Sequence, residues 1–258
     1  MRIDLYLFKN GHVKSRSAAK TLIESGAVLL DGTVISKPSL EIDESAEHSI
    51  VITQKERFVG RGGLKLEAAL DRFKIDVTGL DAIDVGASTG GFTDCLLQRG
   101  VKSVVAVDSG EGQLDARLVN DERVTNIEKY NARNLSREIA PCGVDIAVMD
   151  VSFISQTLIL PRITDLLRKG GLAVTLIKPQ FEAGRSAVGK GGIVKNKKDR
   201  FTSILRVRDC ASSAGLYMTD IIVSPITGGD GNVEYLAKFQ KDVATPITDS
   251  DIKKKTGL

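Results

Sequence analysis

The chain has 258 residues, 42% of them hydrophobic and 27% charged, with a formal net charge of +3. That length allows one large domain or two unequal ones, and the composition supports an ordinary core without staples. Three cysteines (Cys95, Cys142, Cys210) without C-x-x-C spacing exclude a disulfide framework and a cysteine-rich zinc site, and fit a reducing compartment. Only His12 and His48 are available for a histidine-based metal site, and no metal is expected. No apolar run reaches the ~18 residues that cross a bilayer, and the opening Met1–Asp4 lacks a signal-peptide apolar region. The expectation is a cytoplasmic protein.

The first twenty residues hold Arg2, Lys9, Lys14, Arg16 and Lys20 against Asp4 alone. Ser15-Arg16-Ser17 caps a predicted helix through Ala18, Ala19, Leu22 and Ile23, which Gly26 ends. Val28–Leu30 and Thr33–Ile35 flank Asp31-Gly32, a hairpin signature, and Ser49 to Thr53 reads as another strand. Residues 1–53 therefore form a small α+β unit, and the polar, glycine-rich stretch 54–63 is its linker.

From residue 64 the pattern alternates. Helices are predicted at Leu64 to Phe73, Gly91 to Gln98, Ile154 to Arg168 and Asn196 to Ser213. Strands are predicted at Ala82–Val85, Ser103–Val107, Val144–Met149, Leu172–Ile177, Ile221–Val223 and Tyr235–Phe239. The alternation argues a doubly wound, Rossmann-like parallel sheet with helices on both faces over residues 64–240, its ligand at the carboxyl ends of the strands. Residues 241–258 are polar, with Lys253-Lys254-Lys255, and read as a loosely ordered tail. A second basic patch, Arg185 to Arg200, joins the N-terminal one as an electrostatic footprint for a polyanion, each set against the plainer reading of a solvated surface.

Asp84-Val85-Gly86-Ala87-Ser88-Thr89-Gly90-Gly91-Phe92 joins a strand to a helix. It lacks the dinucleotide G-x-G-x-x-G spacing, because position 88 is serine, and it lacks the lysine of a phosphate-gripping loop. Asp108 closes the next strand, where a carboxylate can accept hydrogen bonds from ribose hydroxyls. This layout is that of S-adenosylmethionine methyltransferases. The strand ending Met149-Asp150-Val151-Ser152-Phe153 has no Asn/Asp-Pro-Pro-aromatic run for a nitrogen acceptor, and Cys142 is misplaced for nucleophilic attack on a pyrimidine. Asp150 and Lys178 at strand ends, with Glu234 and Lys65, suit an oxygen acceptor instead. A ribose hydroxyl is a weak nucleophile that needs a base or a strong acceptor to aim its lone pair. A lysine serves when its amine is neutral, a form that burial and nearby cations favour. Carboxylates oppose that shift, so their part is to orient the lysines.

Five motifs occur in order: Arg61-Gly62-Gly63-Leu64-Lys65-Leu66, the turn at Gly86–Phe92, Asp150–Ser155, Lys178–Glu182 and Gly231–Tyr235. Together they resemble the TlyA (hemolysin A) family over nearly the whole chain. The resemblance implies an FtsJ-like, S-adenosylmethionine-dependent 2′-O-methyltransferase acting on cytidine in ribosomal RNA. It implies a tetrad of Lys65, Asp150, Lys178 and Glu234. It also implies cofactor contacts from Asp84, Gly86, Ala87, Ser88, Thr89, Gly90, Gly91, Phe92, Asp108 and Asp150. The N-terminal unit resembles the RNA-binding module of ribosomal protein S-four, which implies RNA contacts from Arg2, Lys14, Arg16, Lys20 and Arg61. Ribosomal subunits are the implied partner, with neither DNA nor membrane. Gly60 departs from the family's usual serine in the linker, and Asp108-Ser109-Gly110 departs from its Asp-Val-Gly. Two other readings stand beside this one: an RNA-binding protein that keeps the fold without turnover, and a cytolysin, for which no amphipathic membrane segment is evident.

Overall fold

The computed structural model describes residues 1–24, 26–53, 57–228, 231–243 and 245–258. The start of the predicted linker (residues 54–56) and part of the glycine-rich loop between the last two strands (229 and 230) lie outside them. The chain divides into two compact units, Met1–Arg61 and Gly62–Leu258.

In the first unit, helices α1 (Ile3–Lys9) and α2 (Arg16–Glu24) accompany a three-stranded antiparallel sheet. Its strands are β1 (Val28–Leu30), β2 (Thr33–Ile35) and β3 (Ile50–Ile52), in the order β2-β1-β3. Ile3, Leu7, Ala19, Leu22, Ile23 and Val28 close its core. Ser15 Oγ accepts from the Ala18 amide at 3.1 Å and so caps α2. Asp31 and Gly32 both take positive φ (50° and 79°), the conformation of a two-residue hairpin turn. Helix α1 escapes sequence reading because its N-cap residue, Arg2, makes no side-chain capping bond.

The second unit is built on a seven-stranded sheet in the order β6-β5-β4-β7-β8-β10-β9. The strands are β4 (Asp81–Val85), β5 (Ser103–Val107), β6 (Val124–Ile127), β7 (Val144–Met149), β8 (Leu167–Ile177), β9 (Leu216–Val223) and β10 (Tyr235–Lys241). Strands β4 to β8 pair in parallel, and the buried runs of Val, Ile, Leu and Ala in β4, β5, β7 and β8 suit a sheet covered on both faces. Helices α3 (Gly62–Phe73) and α4 (Gly91–Gln98) pack together. Helices α6 (Leu160–Leu166), α8 (Lys197–Ser213) and α9 (Asp249–Thr256) form a second group around β8 and β9. Two short helices, α5 (Ala116–Val119) and α7 (Pro179–Glu182), follow strand ends.

Four expectations are corrected. The sheet is mixed, because β10 runs antiparallel to both β8 and β9. The link from Val223 to Tyr235 carries no crossover helix among its described residues, and a short link of this kind makes a hairpin rather than a parallel return. The helix expected from Ile154 to Arg168 contracts to α6 behind a 3₁₀ turn, with Pro161 at its start and Leu167 already paired with Val144 in β8. Strand β6 lies at the sheet edge, too short and polar to announce itself. The tail contains a helix, α9, with a capping box between Thr248 and Asp251 and with Ile252 buried. Lys253, Lys254 and Lys255 fall in its last turn, where cations suit the helix dipole.

Candidate active site

The glycine-rich turn leaves β4 and enters α4 with its backbone in three left-handed steps: Gly86 (φ 84°), Ser88 (φ 49°) and Gly90 (φ 95°). A Cβ on Gly86 would stand 2.6 Å from the Asp150 carbonyl oxygen, so only glycine lets the turn pass the end of β7. A Cβ on Gly90 would collide with the Leu118 side chain. Beneath the turn, fully buried Asp84 accepts from the Thr93 hydroxyl at 2.7 Å through Oδ2. Its Oδ1 has no hydrogen-bond partner among the described residues. Burial pushes the Asp84 carboxyl up to about 7, against the Thr93 hydrogen bond and with the help of the Asp150 and Asp108 charges. Asp108, at the end of β5, accepts from the Ser88 amide (2.8 Å) and the Gly110 amide (2.7 Å). Those two bonds leave a carboxylate with unused lone pairs.

The four residues expected to act on the acceptor come together as two ion pairs from distant parts of the chain. Lys65 Nζ, on α3, donates to Glu234 Oε2 at 2.6 Å, and both side chains are buried. Lys178 Nζ, just beyond β8, lies 2.6 Å from Asp150 Oδ1, just beyond β7, off the line of a directed hydrogen bond. The same amine donates to Ser152 Oγ at 2.8 Å. Burying ions costs several kcal/mol each unless their partners are close and well aimed, so two such pairs at the strand ends are an expensive arrangement for a purely structural purpose.

Three connected hollows meet at these groups, and Ser152 lines all of them. One of about 230 Å³ lies between the turn (Gly86 to Thr89, Gly91, Phe92) and Asp150 with Lys178. A larger cleft of about 770 Å³ runs from Gly86 and Ser88 past Asp108 to Tyr130 and Asn131. A third of about 280 Å³ has Lys178 and Glu234 in its wall together with Phe153, Gln180 and Phe181. The large cleft has the size of a small-molecule site. Asp84, buried under the turn, supplies an unspent acceptor, and Asp108 supplies a strand-end carboxylate. These residues fit a ligand carrying an amine and a ribose.

Sequence reasoning missed several lining residues. Lys129 to Arg133 follow β6, a short polar edge strand with no hydrophobic period, so no sequence pattern marks its carboxyl end as part of the cleft. Phe153 has φ 63° and is 92% exposed, its ring 5.3 Å from that of Phe181. Nothing in a single sequence reports a left-handed phenylalanine, although its place directly after an active-site strand is a signal. Ser152 was legible only as part of the Asp150–Ser155 motif.

In the first unit, Arg2 and Arg16 both reach the buried carboxylate of Asp4, each at 3.0 Å. Arg2 does so through two nitrogens. Burial pushes the Asp4 carboxyl up, but hydrogen bonds from Arg2 and Arg16 outweigh it and hold the group below the ordinary carboxylate range. Lys20 pairs with Glu24 at 3.7 Å, Lys14 is exposed, and Arg61 is half-buried. Among the described residues no cluster of three His, Cys, Asp or Glu side chains is placed to hold a metal, and no helix is long and apolar enough to cross a membrane.

The FtsJ-like methyltransferase family model matches residues 58–241, and an S4 domain model matches residues 1–48. The chain is 41% identical to the 16S/23S rRNA (cytidine-2′-O)-methyltransferase TlyA of Mycobacterium tuberculosis, over 91% of this chain and 87% of that protein. It is also 41% identical to hemolysin A of Brachyspira hyodysenteriae, over 93% of this chain and 99% of that one. Among solved structures, a hemolysin-named protein of Streptococcus thermophilus superposes with a TM-score of 0.78 at 40% identity, covering 99% of this chain and 94% of the other.

Proposed function

The chain belongs to the FtsJ-like methyltransferase family, in the TlyA and hemolysin A branch, and from that premise we propose that it transfers a methyl group from S-adenosylmethionine to the ribose 2′-hydroxyl of a cytidine in ribosomal RNA. The observation that carries the reading is that Lys178, paired with Asp150 beside the turn, and Glu234, paired with Lys65, stand in the wall of one hollow.

S-adenosylmethionine, when bound, supplies an activated methyl group on a sulfonium. Asp84, the turn from Gly86 to Phe92, Asp108 and Asp150 are the residues that would hold it. The hollow shared by Lys178 and Glu234 takes the acceptor ribose. Asp150 and Ser152 aim the Lys178 amine. Lys178 Nζ meets the 2′-hydroxyl and, in the neutral form that a nearby cationic donor favours over the resting ion pair with Asp150, would hold the proton that the hydroxyl gives up. Such a proton transfer contributes roughly 10²–10⁴-fold, and in-line placement of the reacting atoms accounts for much of the remainder. Glu234, in the wall of the same hollow, holds the buried Lys65 amine at 2.6 Å.

Residues 1–53 serve as the RNA-binding module, 54–63 as the linker, 64–240 as the methyltransferase domain and 241–258 as its C-terminal extension. Arg2, Lys14, Arg16, Lys20 and Arg61 contact RNA phosphates, a positioning role rather than a sequence-reading one. The test is incubation of unmodified ribosomal subunits with methyl-labelled donor, followed by mass spectrometry of the RNA. The expected product is 2′-O-methylcytidine, and absence of ribose label overturns the proposal.

A further inference from the structure

One buried carboxylate is not used by the mechanism above. Glu182, in α7, is 2% exposed. Its Oε2 accepts from the Ser155 hydroxyl at 2.5 Å, and its Oε1 accepts from the Gln156 amide at 2.8 Å. Gln156, itself buried, donates through Nε2 to the Leu176 carbonyl of β8 at 2.6 Å. On the other side, Arg206 of α8 donates to the Glu182 carbonyl at 3.0 Å.

The position of this knot is what matters. Ser155 lies five residues beyond Asp150, and Glu182 lies four beyond Lys178. The carboxylate therefore joins the segment that leaves β7 through Asp150, Ser152 and Phe153 to the segment that leaves β8 through Lys178 and Gln180. Each segment carries one half of the Lys178–Asp150 pair. Separate strand-end loops drift independently unless something fixes them to one another. A buried carboxylate is a costly tie, since burial disfavours its charge, and the same bulk could be filled by an apolar side chain. We propose that Glu182 is a positioning residue for methyl transfer: it clamps the two strand-end segments together and so sets the reach of the Lys178 amine to the acceptor oxygen. The proposal rests on the reading of Lys178 and Asp150 given above.

The experiment is single-turnover and steady-state methyl transfer by the full-length chain on ribosomal subunits, with rates per folded molecule and Tm measured alongside. Glu182→Ala is expected to lower kcat by roughly 10–100-fold, the effect of a misplacement near 1 Å, while KM for donor and for RNA stays within about twofold. Glu182→Gln keeps an oxygen for the Gln156 amide and a polar partner for Ser155, and is expected to recover most of that loss. Ser155→Ala, which removes one tether, is expected to fall between the two. A merely structural role predicts the opposite split: lower Tm with an unchanged kcat per folded molecule, which overturns the proposal. Should Glu182→Ala fail to fold, Ser155→Ala decides by the same split. Lys178→Ala serves as the control. Its full activity overturns the underlying reading, whereas its inactivity beside unchanged kcat in Glu182→Ala and Ser155→Ala overturns this proposal alone.

Discussion

The two units use ion pairs in opposite ways. In the first, the carboxylate of Asp4 is buried and its two guanidinium partners, Arg2 and Arg16, remain about half exposed. The anchor is dry and the cations face water, so the positive charge stays available to a polyanion. In the second, both members of Lys65–Glu234 are buried and Lys178–Asp150 is nearly so. There the charges have given up solvent, and their worth depends on what enters the hollow beside them. The same residue types thus differ in exposure between the two units, and under the proposed function that difference separates cations offered to RNA from a pair set beside the reaction.

Loss of Lys178 tests the chemical half most severely. Lys178→Ala is expected to slow methyl transfer by roughly 10²–10⁴-fold, about 3–5 kcal/mol of barrier, with RNA affinity in a filter or gel assay unchanged. Retained turnover would move this pair into the structural class.

Next in size is Glu234. Glu234→Ala strands the buried Lys65 ammonium, a loss of about 3–5 kcal/mol in stability, seen as a Tm fall of roughly 10 °C for a domain of this size. The double variant Lys65→Met with Glu234→Leu sharpens the contrast. Replacing a buried pair by apolar residues of similar bulk is often neutral or stabilising, so Tm should recover while methyl transfer stays lost. Recovery of both would show that this pair serves packing alone.

How much of this was visible in the sequence depends on where the information resides. The turn at Gly86–Phe92, the strand-end acid Asp108 and the ends of β7 and β8 are local patterns, and local patterns are legible. Pairing of Lys65 with Glu234 spans most of the chain, so residue spacing alone could nominate the two but not join them, and it was the family resemblance that grouped them. The direction of β10 was lost because alternation of strands and helices says nothing about a final hairpin. Strand β6 was lost because four edge residues carry no period, and the cleft wall after it was lost with it. The left-handed Phe153 and the tie from Glu182 to Ser155 depend on tertiary packing, which no window of sequence encodes.

A smaller effect comes from Asp84. Burial raises its folded-state carboxyl to about 7. Linkage sets the sign: an acid raised on folding holds its proton longer in the native state, so stability falls as pH rises from the ordinary carboxylate value near 4 towards 7. A bound cationic amine favours the charged form and offsets that fall. Donor affinity is therefore expected to climb by about tenfold as pH passes upward through 7, measured calorimetrically. Asp84→Asn should flatten the climb, and a flat wild-type profile would remove Asp84 from the donor site.

The smallest effect lies in the presenting half. Asp4 is held below its ordinary value, so its stabilisation is present above the unfolded-state value near 3.8 and disappears as pH falls through the depressed folded one. At neutral pH the anchor is fully charged. If it serves to hold Arg2 and Arg16 towards phosphate, Arg16→Ala should weaken RNA binding uniformly across sequences and lower the slope of log affinity against log salt by about 0.7–0.9 per contact. Asp4→Asn should keep both cations yet scatter them, leaving a similar salt slope with a modest loss of affinity. Were Arg16→Ala to leave the slope untouched, the two kinds of ion pair would no longer differ in function, only in exposure.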